Sequence, residues 1–124
     1  MIRLGSMRGL AINRAAVADG WISMSVDGEI DLATVDELNV AIQDVLASDG
    51  SNLLVDLTDT SFMDSTGLKS LVMAERMFTE AGRSFALAVK PGPIWRLIEL
   101  SGVDSMLTIV SGAEELESVA GSAS

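Results

Sequence analysis

Leu53-Leu-Val-Asp-Leu-Thr-Asp-Thr-Ser-Phe-Met-Asp-Ser-Thr-Gly-Leu68 decides the reading of this chain. Its first five residues form a short apolar run, the pattern of a parallel strand buried on both faces. Thr58 to Ser61 are polar. Phe62-Met-Asp-Ser-Thr-Gly-Leu68 then leads into Leu68, Leu71, Val72, Met73, Met77 and Phe78, which recur at helical spacing up to Gly82. A helix is therefore predicted to start near Ser65. Strand, polar loop and helix together make one unit of an α/β sheet.

The same unit recurs on both sides. Downstream, Phe85-Ala-Leu-Ala-Val89 reads as a second buried strand, and Pro91-Gly-Pro93 breaks the chain. Pro93 suits the first turn of a helix carrying Ile94, Trp95, Leu97, Ile98 and Leu100. Met106 to Val110 is predicted as a last strand and Ala113 to Val119 as a last short helix. Upstream, Thr34-Val-Asp-Glu37 fits a capping box, and Val35, Leu38, Ile42, Val45 and Leu46 follow on one helical face. Trp21-Ile-Ser-Met-Ser-Val26 alternates as a half-buried strand does. Asp19-Gly20 joins it as a hairpin to a strand over about Ala11 to Ala18. Asp27-Gly-Glu-Ile-Asp31 reads as a polar break. The predicted order is β β α β α β α β α, a single α/β domain over residues 11–119. Its sheet is mixed and mostly parallel, with about five strands and four helices. Residues 1–10 are expected to be a separate segment, partly disordered or an expression remnant, and residues 120–124 a flexible tail.

Composition narrows the chemistry. The chain has 124 residues, 48% of them apolar, enough for one domain with a real core. There is no cysteine and no histidine, which removes thiolate chemistry, disulfides, and the commonest general base and zinc ligand. No apolar run approaches the roughly 18 residues of a membrane span, and no secretory signal is legible. Cytoplasmic residence is expected. Eighteen acidic residues against eight basic ones give a net charge of −10. Such a chain repels nucleic acid and anionic membranes and attracts a basic partner face. On charge alone the acidity equally serves solubility.

In an open α/β sheet, sites gather at the carboxyl ends of parallel strands. Two polar loops leave those ends, Asp27 to Asp31 and Met63 to Gly67. If their strands are neighbours, Asp27, Glu29 and Asp31 come near Asp64 and Ser65. Ser65 would then stand on an acidic rim at a helix start, where anions are tolerated. Phosphorylation there would add about −1.5 to −2 charge at pH 7. Spacing alone favours a plainer role, with Asp64 or Ser65 as a helix cap.

At these residues the sequence resembles a known family. Asp56-Leu-Thr-Asp-Thr-Ser-Phe-Met-Asp-Ser-Thr-Gly-Leu68 resembles the signature of the STAS domain in bacterial anti-sigma factor antagonists. Gly28-Glu-Ile-Asp31 resembles the family's Gly-Glu-hydrophobic-Asp segment, and Arg96-Leu-Ile-Glu-Leu-Ser-Gly-Val103 its late helix and turn. The resemblance covers about Ala11 to Val119. It implies partner switching and no enzymatic activity. An antagonist of this kind binds an anti-sigma factor that is also a serine kinase, and so releases a sigma factor. Phosphorylation of the serine after the motif's Asp ends the binding, and a PP2C-type phosphatase resets it. The resemblance puts the phosphoacceptor at Ser65 and the partner-binding surface at Asp31, Asp64, Ser65, Thr66, Gly67, Leu68 and Lys69. Thr66, at a place often held by Ser, is a minor candidate for modification. Lys69 departs from the family, which often has a small residue there. Four residues beyond Ser65, it could neutralise a phosphate, salt-bridge a partner, or simply be solvated.

Rival readings are weaker. A Ser65–Lys69 nucleophile pair would need a desolvated lysine, and no Gly-x-Ser-x-Gly elbow is present. Asp27 and Asp31 lack a full set of metal-ligand spacings, and no phosphate-cradling Gly-x4-Gly-Lys motif occurs, so no cofactor or metal is expected. A STAS module in another assembly, such as a scaffold or a lipid- or anion-transport accessory, is the alternative function. A small-molecule sensor, perhaps a nucleotide binder, is a third class. Met73 and Met77 suit a partner surface but more often fill a core. Trp95 is expected at the core or its rim.

Overall fold

The computed structural model describes residues 9–48 and 50–116. The hairpin forms as the Asp19-Gly20 pair dictates. β1 (Ala11–Ala18) runs antiparallel to β2 (Trp21–Ile30), with Gly20 in the left-handed region and Ala11 opposite Asp27. A two-residue turn of this kind needs positive φ, which glycine adopts without strain. α1 (Val35–Leu46), β3 (Asn52–Asp56), β4 (Thr60–Met63), α2 (Ser65–Glu80), β5 (Phe85–Ala88), α3 (Pro93–Ser101) and β6 (Ile109–Val110) follow.

The strands lie in the order β1-β2-β3-β5-β6, and β4 pairs with the far end of β2. Every pairing except β1 with β2 is parallel. From β2 onward the main sheet grows in one direction only. Right-handed crossovers then put successive helices on the same face. Core packing agrees: Leu38, Ile42 and Val45 of α1, Leu71, Ala74 and Phe78 of α2, and Ile98 of α3 share one cluster with Met24, Val26, Leu53, Val55, Phe85 and Leu87. The alternate strand positions Trp21, Leu54, Ala86, Ala88 and Val110 face the other way and pack with Leu116. All four residues of β5 are buried, as an apolar run covered on both faces must be.

The architecture expected from sequence is present, with six strands and three α-helices among the described residues where about five strands and four helices are expected. β4 is the added strand, lying in what reads as a polar loop. Asp27 to Ile30 is likewise not a break but the continuation of β2, paired in parallel with β4 through Gly28–Thr60, Glu29–Phe62 and Ile30–Met63. These segments satisfy each other's backbone groups across 33 residues or so of chain, and local polarity does not reveal that. The last strand is shorter than expected, because Asp104–Met106 closes into a 3₁₀ turn. The final helix begins as a 3₁₀ turn, Ala113–Glu115, and Leu116 continues it in helical conformation. The remainder of that predicted helix, the 120–124 tail and residues 1–8 lie outside the described residues. Trp95 is half-buried against the core. Met73 is exposed, whereas half-buried Met77 accepts a hydrogen bond through Sδ from Gln43 Nε2 at 3.4 Å.

Candidate functional site

The two loops anticipated as neighbours do meet. Asp64 N–H donates to Ile30 O at 3.1 Å, which ties the start of α2 to the end of β2. Each loop is then closed by an aspartate folded onto its own backbone.

In the first loop, Asp31 Oδ1 accepts from the N–H groups of Ala33 at 3.0 Å and Thr34 at 3.2 Å. Thr34 is buried. Its hydroxyl donates to Glu29 O at 2.7 Å and accepts from Asp31 N–H at 3.0 Å. The predicted capping box therefore does not form. Thr34 is already in a helical conformation, its hydroxyl points back to β2, and no side-chain cap bond reaches α1. Glu37 also turns elsewhere, accepting from Leu10 N–H at 2.9 Å. The preceding Asx turn takes the place of the box.

In the second loop Asp64 is the helix cap. Its backbone is extended, and its Oδ1 accepts from Thr66 N–H at 2.9 Å and Gly67 N–H at 3.2 Å. Of the two capping candidates in the sequence, Asp64 takes the role and Ser65 is released from it. Ser65, the first residue of α2, is exposed, as is Lys69 one turn on. Thr66 is half-buried. Gly67 and Leu68 are buried, so their part is to seat the turn on the core.

Asp27 and Glu29 are exposed, and with Asp31 and Glu37 they line an open cleft of about 540 Å³. Among the described residues no group of acidic side chains is arranged to hold a metal ion. Two apolar side chains stand out beside these loops, Leu32 at 78% exposure and Phe62 at 48%. Neither is marked as exposed by the local sequence pattern. Phe62 lies within the quoted motif, but its outward direction depends on the pairing of β4 with β2. A leucine in a tight polar turn was the only signal for Leu32.

Residues 15–110 match the family model described as "Mlab, STAS domain". The chain belongs to the STAS domain family. Its relatives include the anti-sigma-F factor antagonist RsfB of Mycobacterium tuberculosis, 33% identical over 77% of this chain and 79% of that protein. The anti-sigma-B factor antagonist of Listeria monocytogenes is 32% identical over 71% of this chain and 77% of its own length. A crystal structure of an anti-sigma factor antagonist from Mycobacterium paratuberculosis aligns with a TM-score of 0.76 at 27% identity, covering 89% and 92% of the two chains. This STAS chain is thus a member of the anti-sigma factor antagonist family. The names of these relatives denote antagonists of anti-sigma factors. No helix among the described residues is long and apolar enough to cross a membrane.

Proposed function

We propose that this protein binds a serine-kinase anti-sigma factor in the cytoplasm and thereby releases a sigma factor, and that phosphorylation of Ser65 ends the complex. A PP2C-type phosphatase returns it to the binding form. Ser65 carries this reading. Its side chain is exposed at the start of α2, while the neighbouring Asp64, not Ser65, caps the helix. A phosphate can therefore be added and removed without dismantling the turn. The face around it, with Asp31 in the adjacent loop and exposed Leu32 and Phe62, offers a partner both charge and apolar contact. Thr66, half-buried, is less accessible to a kinase.

The test combines the chain with its cognate anti-sigma kinase and ATP. Phosphate is expected on Ser65 and nowhere in Ser65→Ala. Ser65→Asp should weaken the complex on the order of 10- to 100-fold, since it buries an added carboxylate beside Asp64 and Asp31 at the docking rim, and an uncompensated charge at an interface costs a few kcal/mol. Ser65→Ala should remain in the binding state. The switch fails if Ser65 is not labelled, or if Ser65→Asp binds as tightly as wild type. Capture of a transport or scaffold assembly by Ser65→Ala, with no anti-sigma factor in it, would favour the other kind of STAS module.

A further inference from the structure

A phosphate on Ser65 would place a dianion at the first residue of α2, and the surrounding bonds limit what can balance it. Helix N-termini usually offer their first N–H groups. Here those of Thr66 and Gly67 are bonded to Asp64 Oδ1, and that of Leu68 to Asp64 O at 3.1 Å. To use them the phosphate would have to displace Asp64, whose carboxylate already adds negative charge beside it. Asp31 in the facing loop and the exposed Asp27 and Glu29 beyond it are also acidic. A full balancing charge must come from a side chain, since a remaining backbone N–H such as that of Ser65 supplies only a partial one.

Lys69 is placed to supply it. It is exposed, like Ser65, and lies four residues along the same unbroken helix, where side chains are neighbours. Arg76, the next cation on α2, is about 16 Å from Ser65 along the helix axis. An anion followed by a cation four residues later is the favourable order along a helix. We infer that Lys69 is a positioning residue for the switch, holding the phosphate of phosphorylated Ser65 in an i,i+4 ion pair along α2. The inference rests on reading Ser65 as the phosphoacceptor. The modified face then presents a phosphate leaning along the helix, a geometry that Ser65→Asp, with its shorter side chain, reproduces only in part.

The experiment installs phosphoserine at position 65 during translation, so that no kinase is needed, and follows its second ionisation by ³¹P NMR. Lys69→Gln is expected to raise that pKa by about 0.3 unit relative to the chain with Lys69, the shift equivalent to a typical i,i+4 ion pair. Lys69→Arg should restore the lower value. The difference should fade in 1 M salt, where the Debye length is about 3 Å. An identical titration for Lys69→Gln and the lysine-containing chain at low salt overturns the pair. Failure of the kinase to label Ser65 would instead overturn the phosphoacceptor reading and leave this titration unchanged.

Discussion

Gly67 is buried in the first turn of α2, where any side chain would collide with the ends of two strands. A Cβ there would lie 2.6 Å from Ile30 Cγ2 and 2.8 Å from Met63 Cγ. Ile30 ends β2 and Met63 ends β4, so both strand ends press on the helix start. The requirement is close approach and not unusual backbone torsion. Gly67→Ala should therefore destabilise the protein by about 1–3 kcal/mol from overpacking, even though alanine is about 1 kcal/mol the better helix former. A thermal melt reads the difference, and a variant that melts at or above wild type would contradict the tight seat. The motif marks Gly67 in the sequence as part of a turn. Why glycine is needed there depends on Ile30, 37 residues earlier, and is not written in the motif. Asp64 is the opposite case, since a helix-capping residue immediately before an apolar periodic run is legible locally.

Arg83 joins the ends of two helices. It follows α2 and donates through Nη1 to Leu46 O at 2.6 Å, through Nη2 to Val45 O at 2.8 Å, and through Nε to Ser51 O at 2.8 Å. Its guanidinium also lies 4.9 Å from the centre of the Phe78 ring. Carbonyls at a helix C-terminus lack partners within the helix, and a cation there also suits the dipole. Arg83→Met should lower stability by about 2–3 kcal/mol, the usual worth of charged hydrogen bonds, with α1 fraying first. Amide hydrogen exchange would detect this as faster exchange at the end of α1; uniform protection there would rule out the clamp. The elements themselves were largely legible. Helical spacing marked α1, α2 and α3, and uninterrupted apolar runs marked β3 and β5. β4 and the second half of β2 were not, because Thr60, Ser61, Asp27 and Glu29 carry no strand periodicity and become strands only by pairing with each other.

The whole molecule carries a net charge of −10, and the face around Ser65, with Asp31 and Asp64, is no exception. Binding to a partner with a basic face should then be steered by charge, with an association rate that falls several-fold between about 50 and 500 mM salt. Stopped-flow association across that range tests it. A rate that does not change with salt would mean that apolar contacts such as those at Leu32 and Phe62 govern the encounter. The sequence by itself determined the α/β class, the hairpin edge, the helix faces, the family and the serine at the head of α2. Each of these follows from short-range periodicity, turn chemistry or a contiguous motif. Only the tertiary structure decided that Thr34 faces back to β2 and caps nothing. It alone brought Asp64 N–H to Ile30 O, left Ser65 and Lys69 exposed on one helix, and buried Gly67 between two strand ends. Those outcomes depend on hydrogen bonds and close approach between residues far apart in the chain, which no local pattern encodes.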